Sequence, residues 1–335
     1  MISYEYVFFS FHSAASLLGC ILNAFLIYCV LTKSTDSMKT YSILMINFAL
    51  TDFLACFLDS FVQARQIPTG SSIYYISNGY CKYISHEACI VGYSLYCHLL
   101  AHSLWSLLIS FSYRYIVLIQ KSPSRNCIAI CLFVAYIPST IQWITFLWAF
   151  DDTESVTTAM HQRFPEYDLT GKTITGHLNI FTPSAMFTIG HMVLPVAPVY
   201  TAILILRNRI IKLLESKSEH MRKETKAMHT QLLRALTFQA IIPGFFLFAI
   251  ISYTLQQTSI LNHPILENFT FTSFLFIPIL SPICSLTFIR PFRTEFTRVF
   301  LCQKQKIAHG KNVFITDASA TNVFSSRSDV HKSSA

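Results

Sequence analysis

Residues 7–32 read VFFSFHSAASLLGCILNAFLIYCVLT, a stretch that contains no Asp, Glu, Lys or Arg. An α-helix rises about 1.5 Å per residue, so this stretch can cross a hydrocarbon core of roughly 30 Å. Six more stretches of this kind follow, each nearly free of charged residues: 40–58, 88–113, 126–150, 178–206, 235–258 and 268–289. Together they predict an all-α fold, a bundle of seven transmembrane helices.

The composition agrees with a protein that crosses the membrane many times. Of the 335 residues, 53% are hydrophobic and 13% are charged, whereas soluble proteins carry about 25% charged residues. We expect one transmembrane domain at residues 1–302, which ends in a short helix lying in the membrane interface after Arg290. Residues 303–335 are rich in Ser, Asn and Lys, and we expect a disordered cytosolic tail there.

The basic residues orient the chain in the membrane. The net charge of +8 comes from Lys and Arg beside the ends of the hydrophobic stretches, which indicates membrane orientation rather than nucleic-acid binding. One side receives the basic residues of segments 33–39, 114–125, 207–234 and 290–332. The other side receives Arg65, Lys82, Arg163 and Lys172. Because positive charge is retained in the cytosol, the N-terminus is predicted outside and the C-terminus inside.

Two polar residues lie at comparable depth within the first two stretches. Asp52 lies in the second stretch and Asn23 in the first, within hydrogen-bonding reach of each other in a packed bundle. An ionisable group in the hydrocarbon is costly and marks a functional candidate. The pair is either a clamp that fixes helix packing or part of a switch or ion site.

The third stretch carries the candidate ligand contacts. Its outer half presents an aromatic face, and two phenylalanines of the sixth stretch lie at a similar depth. A cavity between these helices would suit a small, mostly apolar ligand, although such faces also pack against other helices or lipid. The candidates are Tyr93, Tyr96, Cys97, Leu100, Phe245 and Phe248.

His98 and His102 are one helical turn apart and could contact one ligand. The same spacing occurs in metal sites, but without a nearby carboxylate cluster it indicates no metal here. No nucleophile elbow, phosphate loop or zinc motif is present either, so we predict no enzyme and no cofactor.

Cysteines and prolines leave alternatives open. Cys81 and Cys89 lie near the oxidising outer face and could form a disulfide. Cys302 is either a palmitoylation site or a free cytosolic thiol. Six prolines of the later spans permit kinks that are either hinges or static bends: Pro183, Pro195, Pro198, Pro243, Pro278 and Pro282.

With these residues in view, the chain resembles the seven-helix G-protein-coupled receptors, and among them the nematode serpentine chemoreceptors of class delta. The general marks are Asn23, the pattern Asn47-x-Ala-x-x-Asp52, Tyr113-Arg114-Tyr115 and Ser281-Pro282. The more specific marks are the longer segments 102–115, 232–243, 263–267 and 278–293.

That resemblance implies a chemosensory receptor that detects a small molecule and activates a heterotrimeric G protein from a plasma or sensory ciliary membrane. Tyr113, Arg114 and Tyr115 would lie at the cytosolic switch and the G-protein interface, and Asn23 and Asp52 would belong to an internal polar network. Two departures from the family pattern matter. Tyr113 stands where an acidic residue usually precedes the arginine, so an ionic lock must be built differently. The second outer loop, 151–177, has no cysteine to bridge to the third helix.

Two other functions fit the sequence less well than a receptor. A ligand-gated channel, by analogy with the inverted seven-helix odorant channels of insects, requires the N-terminus inside, against the charge distribution. A small-molecule transporter is disfavoured because no internal repeat is evident.

Overall fold

A computed structural model of the chain describes residues 4–34, 39–218, 234 and 237–300. Seven of its helical segments are long and apolar enough to cross a membrane, which confirms the seven predicted spans. The first four spans are single helices: α1 (Tyr4–Lys33), α2 (Lys39–Val62), α3 (His86–Ile119) and α4 (Arg125–Leu147). Polar side chains cap the N-termini of two of them: Ser85 and Ser124 accept hydrogen bonds from free backbone N–H groups in the first turns of α3 and α4.

Prolines divide the fifth and sixth spans. After the outer helix α5 (Thr153–Arg163), the fifth span consists of α6 (Pro183–Val193) and α7 (Val196–Ser218), which meet around Pro195. The sixth span (Thr237–Gln257) turns at residues 240–243 before α8 (Gly244–Gln257). A proline ring cannot donate to the helical ladder, so breaks at these positions have a direct cause.

The last two helices complete the bundle. The seventh span is α9 (Pro264–Phe288), which continues through Pro278 and Pro282. Helix α10 (Arg290–Phe300) follows at the position of the expected short amphipathic helix. It buries Phe292 and packs Phe296 and Phe300 against Phe25 of α1.

An antiparallel sheet joins the first two outer loops, a feature that the sequence analysis did not predict. Strands β1 (Ala64–Thr69) and β2 (Ser72–Ser77) form a hairpin, and β3 (Thr173–His177) from the second outer loop pairs with β2. Gly70 turns the hairpin with a φ of +68°, a conformation that favours glycine. A disulfide between Cys81 and Cys89 closes the segment before α3, so the two outer cysteines are bonded to each other.

The third helix forms the centre of the bundle. α3 packs against α2, α4 and α7, and buries Tyr96, Leu100 and Phe111 almost completely. In contrast, α4 exposes a stripe of large apolar side chains, which suits contact with lipid: Ile130, Phe133, Val134 and Ile137.

Several predictions fall outside the described residues. They concern Cys302, the tail expected at 303–335, and most of the cytosolic connection 207–234, of which α7 accounts for the part up to Ser218. The orientation of the termini also stays a prediction, and the words outer and inner name the two ends of the bundle as that prediction assigns them.

Candidate functional site

A cavity of about 70 Å³ lies in the outer half of the bundle, where spans three to seven meet the sheet. Tyr93 and Cys97 of α3 form one wall, and Phe271 and Phe274 of α9 form another. The remaining lining residues come from the sheet, α4, α6, α8 and α9: Gln66, Ile73, Tyr75, Phe146, Thr188, Ile189, Met192, Val193, Ala249, Ile250, Tyr253 and Thr270. No Asp, Glu, Lys, Arg or His is among the lining residues.

Aromatic rings hold the cavity walls together. The ring centroid of Tyr93 lies 4.4 Å from the centroid of Tyr75, 5.5 Å from that of Phe271 and 5.9 Å from that of Phe146. Such edge and tilted contacts each add about 0.5–1.5 kcal/mol beyond the burial of area. The cavity is therefore bounded by a fixed cluster of rings rather than by independent side chains.

The structure distributes the six sequence-predicted ligand residues unequally. Tyr93 and Cys97 line the cavity. Tyr96 and Leu100 are buried one turn further along α3 and are not among the lining residues. Phe245 is half-buried and stacks on Phe276 at 5.3 Å, and Phe248 is 57% exposed. The structure thus does not bring the two phenylalanines of α8 to the cavity.

Charged groups lie above the cavity, in the outer loops. Arg65 of β1 donates to Glu267 of α9 at 2.7 Å, and the Tyr167 hydroxyl donates to the same carboxylate at 2.7 Å. Burial and this bonded carboxylate raise the pKa of Tyr167 to about 12. Glu5 of α1 accepts from Lys172 at 2.5 Å and lies 3.4 Å from Arg65. These contacts fasten the sheet onto the ends of α1 and α9.

His177 anchors the third strand among aromatic rings. It is buried against Phe150 and Phe146, with centroids 4.5 and 5.1 Å away, and its Nδ1 lies 2.8 Å from the Ala149 carbonyl oxygen. Burial lowers the pKa of this imidazole below 6.5, against a smaller opposing effect of the carbonyl. In the neutral form of the ring, Nδ1–H donates a hydrogen bond to the Ala149 carbonyl oxygen.

Asp59 is an intramembrane carboxylate that the sequence analysis missed. The predicted second span ended at residue 58, but α2 continues to Val62 and buries Asp59. Its carboxylate lies 2.9 Å from His12 Nδ1 and accepts from Ser16 Oγ at 2.7 Å, and His12 Nε2 lies 3.0 Å from Thr272 Oγ1. This cluster joins α1, α2 and α9. An acidic residue near a span's end and a histidine inside another span were the available signals.

Asn23 makes a different contact from the one expected. Its Nδ2 donates to the carbonyls of Gly19 and Pro278, both at 2.9 Å, and the expected hydrogen bond to Asp52 is not formed. Pro282 lacks the N–H that would pair with the Pro278 carbonyl four residues earlier, so Asn23 supplies the missing donor. Asp52 is 2% exposed and lies beside Ser281 of α9.

His102 of α3 belongs to a polar cluster with α2 and α4, and the ring of His98 lies beside Tyr136 and Trp143 of α4. His102 Nε2 lies 2.8 Å from Ser106 Oγ and 3.3 Å from Asn47 Nδ2, and its ring stacks on Tyr136 at 3.5 Å. Within the described ranges, no group of three or more His, Cys, Asp and Glu side chains is arranged to hold a metal ion.

The predicted switch arginine is held by neutral partners. Arg114 donates to Gln239 Oε1 of the sixth span at 2.7 Å and to the hydroxyl of Tyr41 in α2. Tyr113 stacks on Tyr41 at 5.8 Å, and its hydroxyl lies 3.2 Å from Ser122 Oγ. Tyr115 is partly buried against the main core. Arg114 thus connects the inner ends of α2, α3 and the sixth span, and no carboxylate among the described residues pairs with it.

The arrangement of the seven helices is similar to that of a rhodopsin. The structure superposes on the crystal structure of squid rhodopsin with a TM-score of 0.62, covering 89% of this chain and 82% of that chain. Sequence identity is 14%, so this likeness concerns the fold alone.

Sequence comparison identifies the family. A profile described as serpentine type 7TM GPCR chemoreceptor Srd matches residues 8–298. The chain is 43% identical over 311 residues to serpentine receptor class delta-18 of Caenorhabditis elegans, covering 91% of this chain and 92% of that receptor. It is 42% identical to class delta-19 of the same nematode, over 88% of both chains. The chain belongs to the Srd family of serpentine chemoreceptors, which confirms the resemblance and makes it a chemosensory G-protein-coupled receptor.

Proposed function

We propose that the receptor binds a small molecule in the aromatic cavity and signals to a heterotrimeric G protein at the opposite end of the bundle. The observation that carries this proposal is the cavity itself, which five spans and the outer sheet enclose. A ligand there contacts several helices at once. It can shift the bundle only by binding one helix arrangement more tightly than another.

Arg114 is the proposed switch at the inner end, together with its neighbours Tyr113 and Tyr115. Its two hydrogen bonds tie α3 to α2 and to the sixth span. Release of these bonds would free the inner end of the sixth span and uncover a surface for the G protein. A neutral partner makes such a release less costly than separating a buried ion pair.

The proposed connection between the two ends runs through the inner polar residues. Asn23 holds α9 at its proline bend, and Asp52 lies beside Ser281 on the same helix. A small cavity of about 20 Å³ continues from Ser281 to Tyr41 and Gln239, the partners of Arg114. It is large enough for a water molecule, which needs roughly 10–15 Å³.

The membrane setting of the proposal follows the charge distribution. The chain is a multi-pass membrane protein, and we place its N-terminus outside, its C-terminus in the cytosol and the receptor in a plasma or sensory ciliary membrane. The relatives are named as receptors, and we propose that this chain likewise performs no catalysis.

The test is a screen of volatile and soluble cues in cells that express the receptor, with a second-messenger readout. For an agonist found in this way, Phe271→Leu should raise the half-maximal concentration about tenfold, equivalent to ~1.4 kcal/mol of lost binding, because the ring contact with Tyr93 is lost. Ile251→Ala, at a side chain of α8 that is 54% exposed, is the matched control. Equal potency of both variants at matched surface levels would place the ligand outside the cavity.

A further inference from the structure

The cavity is closed toward the outer face. Gln66, Ile73 and Tyr75 of the sheet form its roof, and they are 7%, 1% and 3% exposed. The ion pair of Arg65 with Glu267 and the hydroxyl of Tyr167 fasten this roof to α9. A molecule dissolved in the outer solution therefore meets a hydrogen-bonded sheet before it can reach the cavity.

The side of the cavity between the fifth and sixth spans is less well covered. The lining residues Ile189 and Met192 of α6 and Ile250 and Tyr253 of α8 are all partly exposed. Among the described elements, α6 packs mainly on α4, whereas α8 packs on α9 and β1, and the principal contact between the two spans lies lower, at α7. The exposed edge of the cavity is thus a seam between α6 and α8, at a depth that lipid tails would occupy.

The chemistry of the lining selects against charge. Its polar groups are hydroxyls, one thiol and one amide, and no ionisable carboxylate or base is present to pair with an ion. Moving an unpaired charge into such a site costs many kcal/mol. The cavity of about 70 Å³ is also smaller than the ~150 Å³ cavity that accepts benzene, so a ligand must be small or must part the seam as it enters.

We propose that the cavity takes a small, uncharged, lipophilic molecule that arrives from the bilayer through the seam between α6 and α8. This inference rests on the proposed function, because it takes the cavity as the ligand site. It adds the chemical class of the ligand and its route.

Cys97 provides a reporter that needs no agonist. It lines the cavity, is 2% exposed and carries a free thiol. Methanethiosulfonates react with a thiolate, which bonds to the sulfenyl sulfur and displaces methanesulfinate, leaving a mixed disulfide. We would treat intact cells with the neutral methyl reagent, the anionic sulfonatoethyl reagent or the cationic trimethylammonioethyl reagent. Mass spectrometry of the Cys97 peptide gives the rate, and Cys97→Ala confirms the assignment.

Lateral access predicts modification of Cys97 by the neutral reagent at least tenfold faster than by either charged reagent. Ile250→Trp fills the seam and should slow the neutral reagent about tenfold. Ile251→Trp, on the exposed face of the same helix, should leave the rate unchanged. Arg65→Ala and the milder Tyr167→Phe loosen the roof and should not accelerate any reagent.

Four results would overturn the proposal. They are equal rates for charged and neutral reagents, equal rates in the two tryptophan variants, faster modification when the roof is loosened, and reaction of Cys97 only after denaturation. Because none of these measurements uses an agonist, they separate failure of the route from failure of the ligand site, which the Phe271→Leu response tests.

Discussion

His12 and Asp59 show how strongly one pair of side chains can constrain a bundle. Both are buried, at 4% and 1% exposure, and their contact links α1 to α2, while Thr272 links the pair to α9. Burial of a charged pair is only weakly favourable in itself, but removal of one partner leaves an uncompensated polar group.

We expect His12→Ala to lower the free energy of unfolding by about 3–5 kcal/mol. The double variant His12→Ala with Asp59→Ala should lower the free energy of unfolding by clearly less than the sum of the two single variants. With both side chains removed, no partner is left buried and unpaired. Thermal unfolding of the purified receptor in detergent measures the cycle, with the exposed Ser10→Ala as control. Additive effects would show that the two side chains act independently.

Arg114 gives a second prediction about a single residue. Arg114→Ala should reach the cell surface normally but change basal or agonist-driven G-protein signalling, since the ties to Tyr41 and Gln239 are lost. Tyr41→Phe should act in the same direction and more weakly, because it removes one acceptor. Arg125→Ala, an exposed basic residue at the start of α4, is the control. Signalling unchanged from wild type would remove Arg114 from the switch.

For single residues, the sequence indicates which polar positions within the spans are candidates more reliably than it indicates which groups they contact. Asn23 was recognisable as a polar residue in an apolar helix, and Pro282 as a helix-breaking residue. Their relation was not recognisable, because it depends on α1 lying against the bend of α9. Asp59 lies just beyond the predicted end of the second span, because Asp59 and Ser60 end the apolar run at Leu58, whereas α2 continues to Val62.

Among the elements, the outer sheet has the most specific requirements. Gly176 lies where a Cβ atom would approach the Ile73 carbonyl oxygen to 2.4 Å, so β3 can pair with β2 only with glycine there. His177, the next residue, fills the space between Phe146 and Phe150 in its neutral form.

The stability of the sheet should therefore depend on pH. Burial holds the pKa of folded His177 below 6.5, so the unfolded chain takes up this proton first as the pH falls. The contribution of His177 is fully present above about pH 6.5 and is lost progressively below it. We expect His177→Gln to reduce the drop in melting temperature between about pH 7.5 and 5.5. An unchanged drop would show that the imidazole stays neutral or exposed.

The elements differ in how far local sequence predicts them. The run Ile73-Tyr74-Tyr75-Ile76 is rich in β-branched and aromatic residues and follows a turn signal at Gly70, but Ala64–Thr69 has no comparable pattern, so the hairpin was not predicted. The third strand could not have been placed from the sequence, because Thr173–His177 pairs with a strand about a hundred residues earlier. The breaks at Pro195 and Pro243 follow from the prolines, whereas α9 continues through Pro278 and Pro282, and Asn23 of α1 donates to the Pro278 carbonyl there.

For the whole molecule, the number of spans followed from hydropathy and length, since lipid requires every backbone group to be paired within a helix. The position of the cavity did not follow from hydropathy and length, because it depends on which faces of the helices meet. Two of the six predicted ligand residues line it, and the two phenylalanines of α8 lie elsewhere.

The orientation of the molecule is testable directly. An epitope tag at the N-terminus should be accessible to antibody in intact cells. A tag at the C-terminus should become accessible only after permeabilisation, as the distribution of Lys and Arg requires. A tag inserted at Gly70, in the tip of the hairpin, should follow the N-terminal tag. An N-terminus found inside would contradict the receptor topology and favour the inverted channel.

The pairing of β2 with β3 also bears on how recognition could be transferred between related receptors. A graft of one outer loop onto a paralogue would bring a strand without the partner that pairs with it and would disturb the sheet that carries the roof. An exchange of both loops keeps β2 paired with β3, so a graft that preserves the outer wall of the proposed ligand site takes two segments far apart in the sequence.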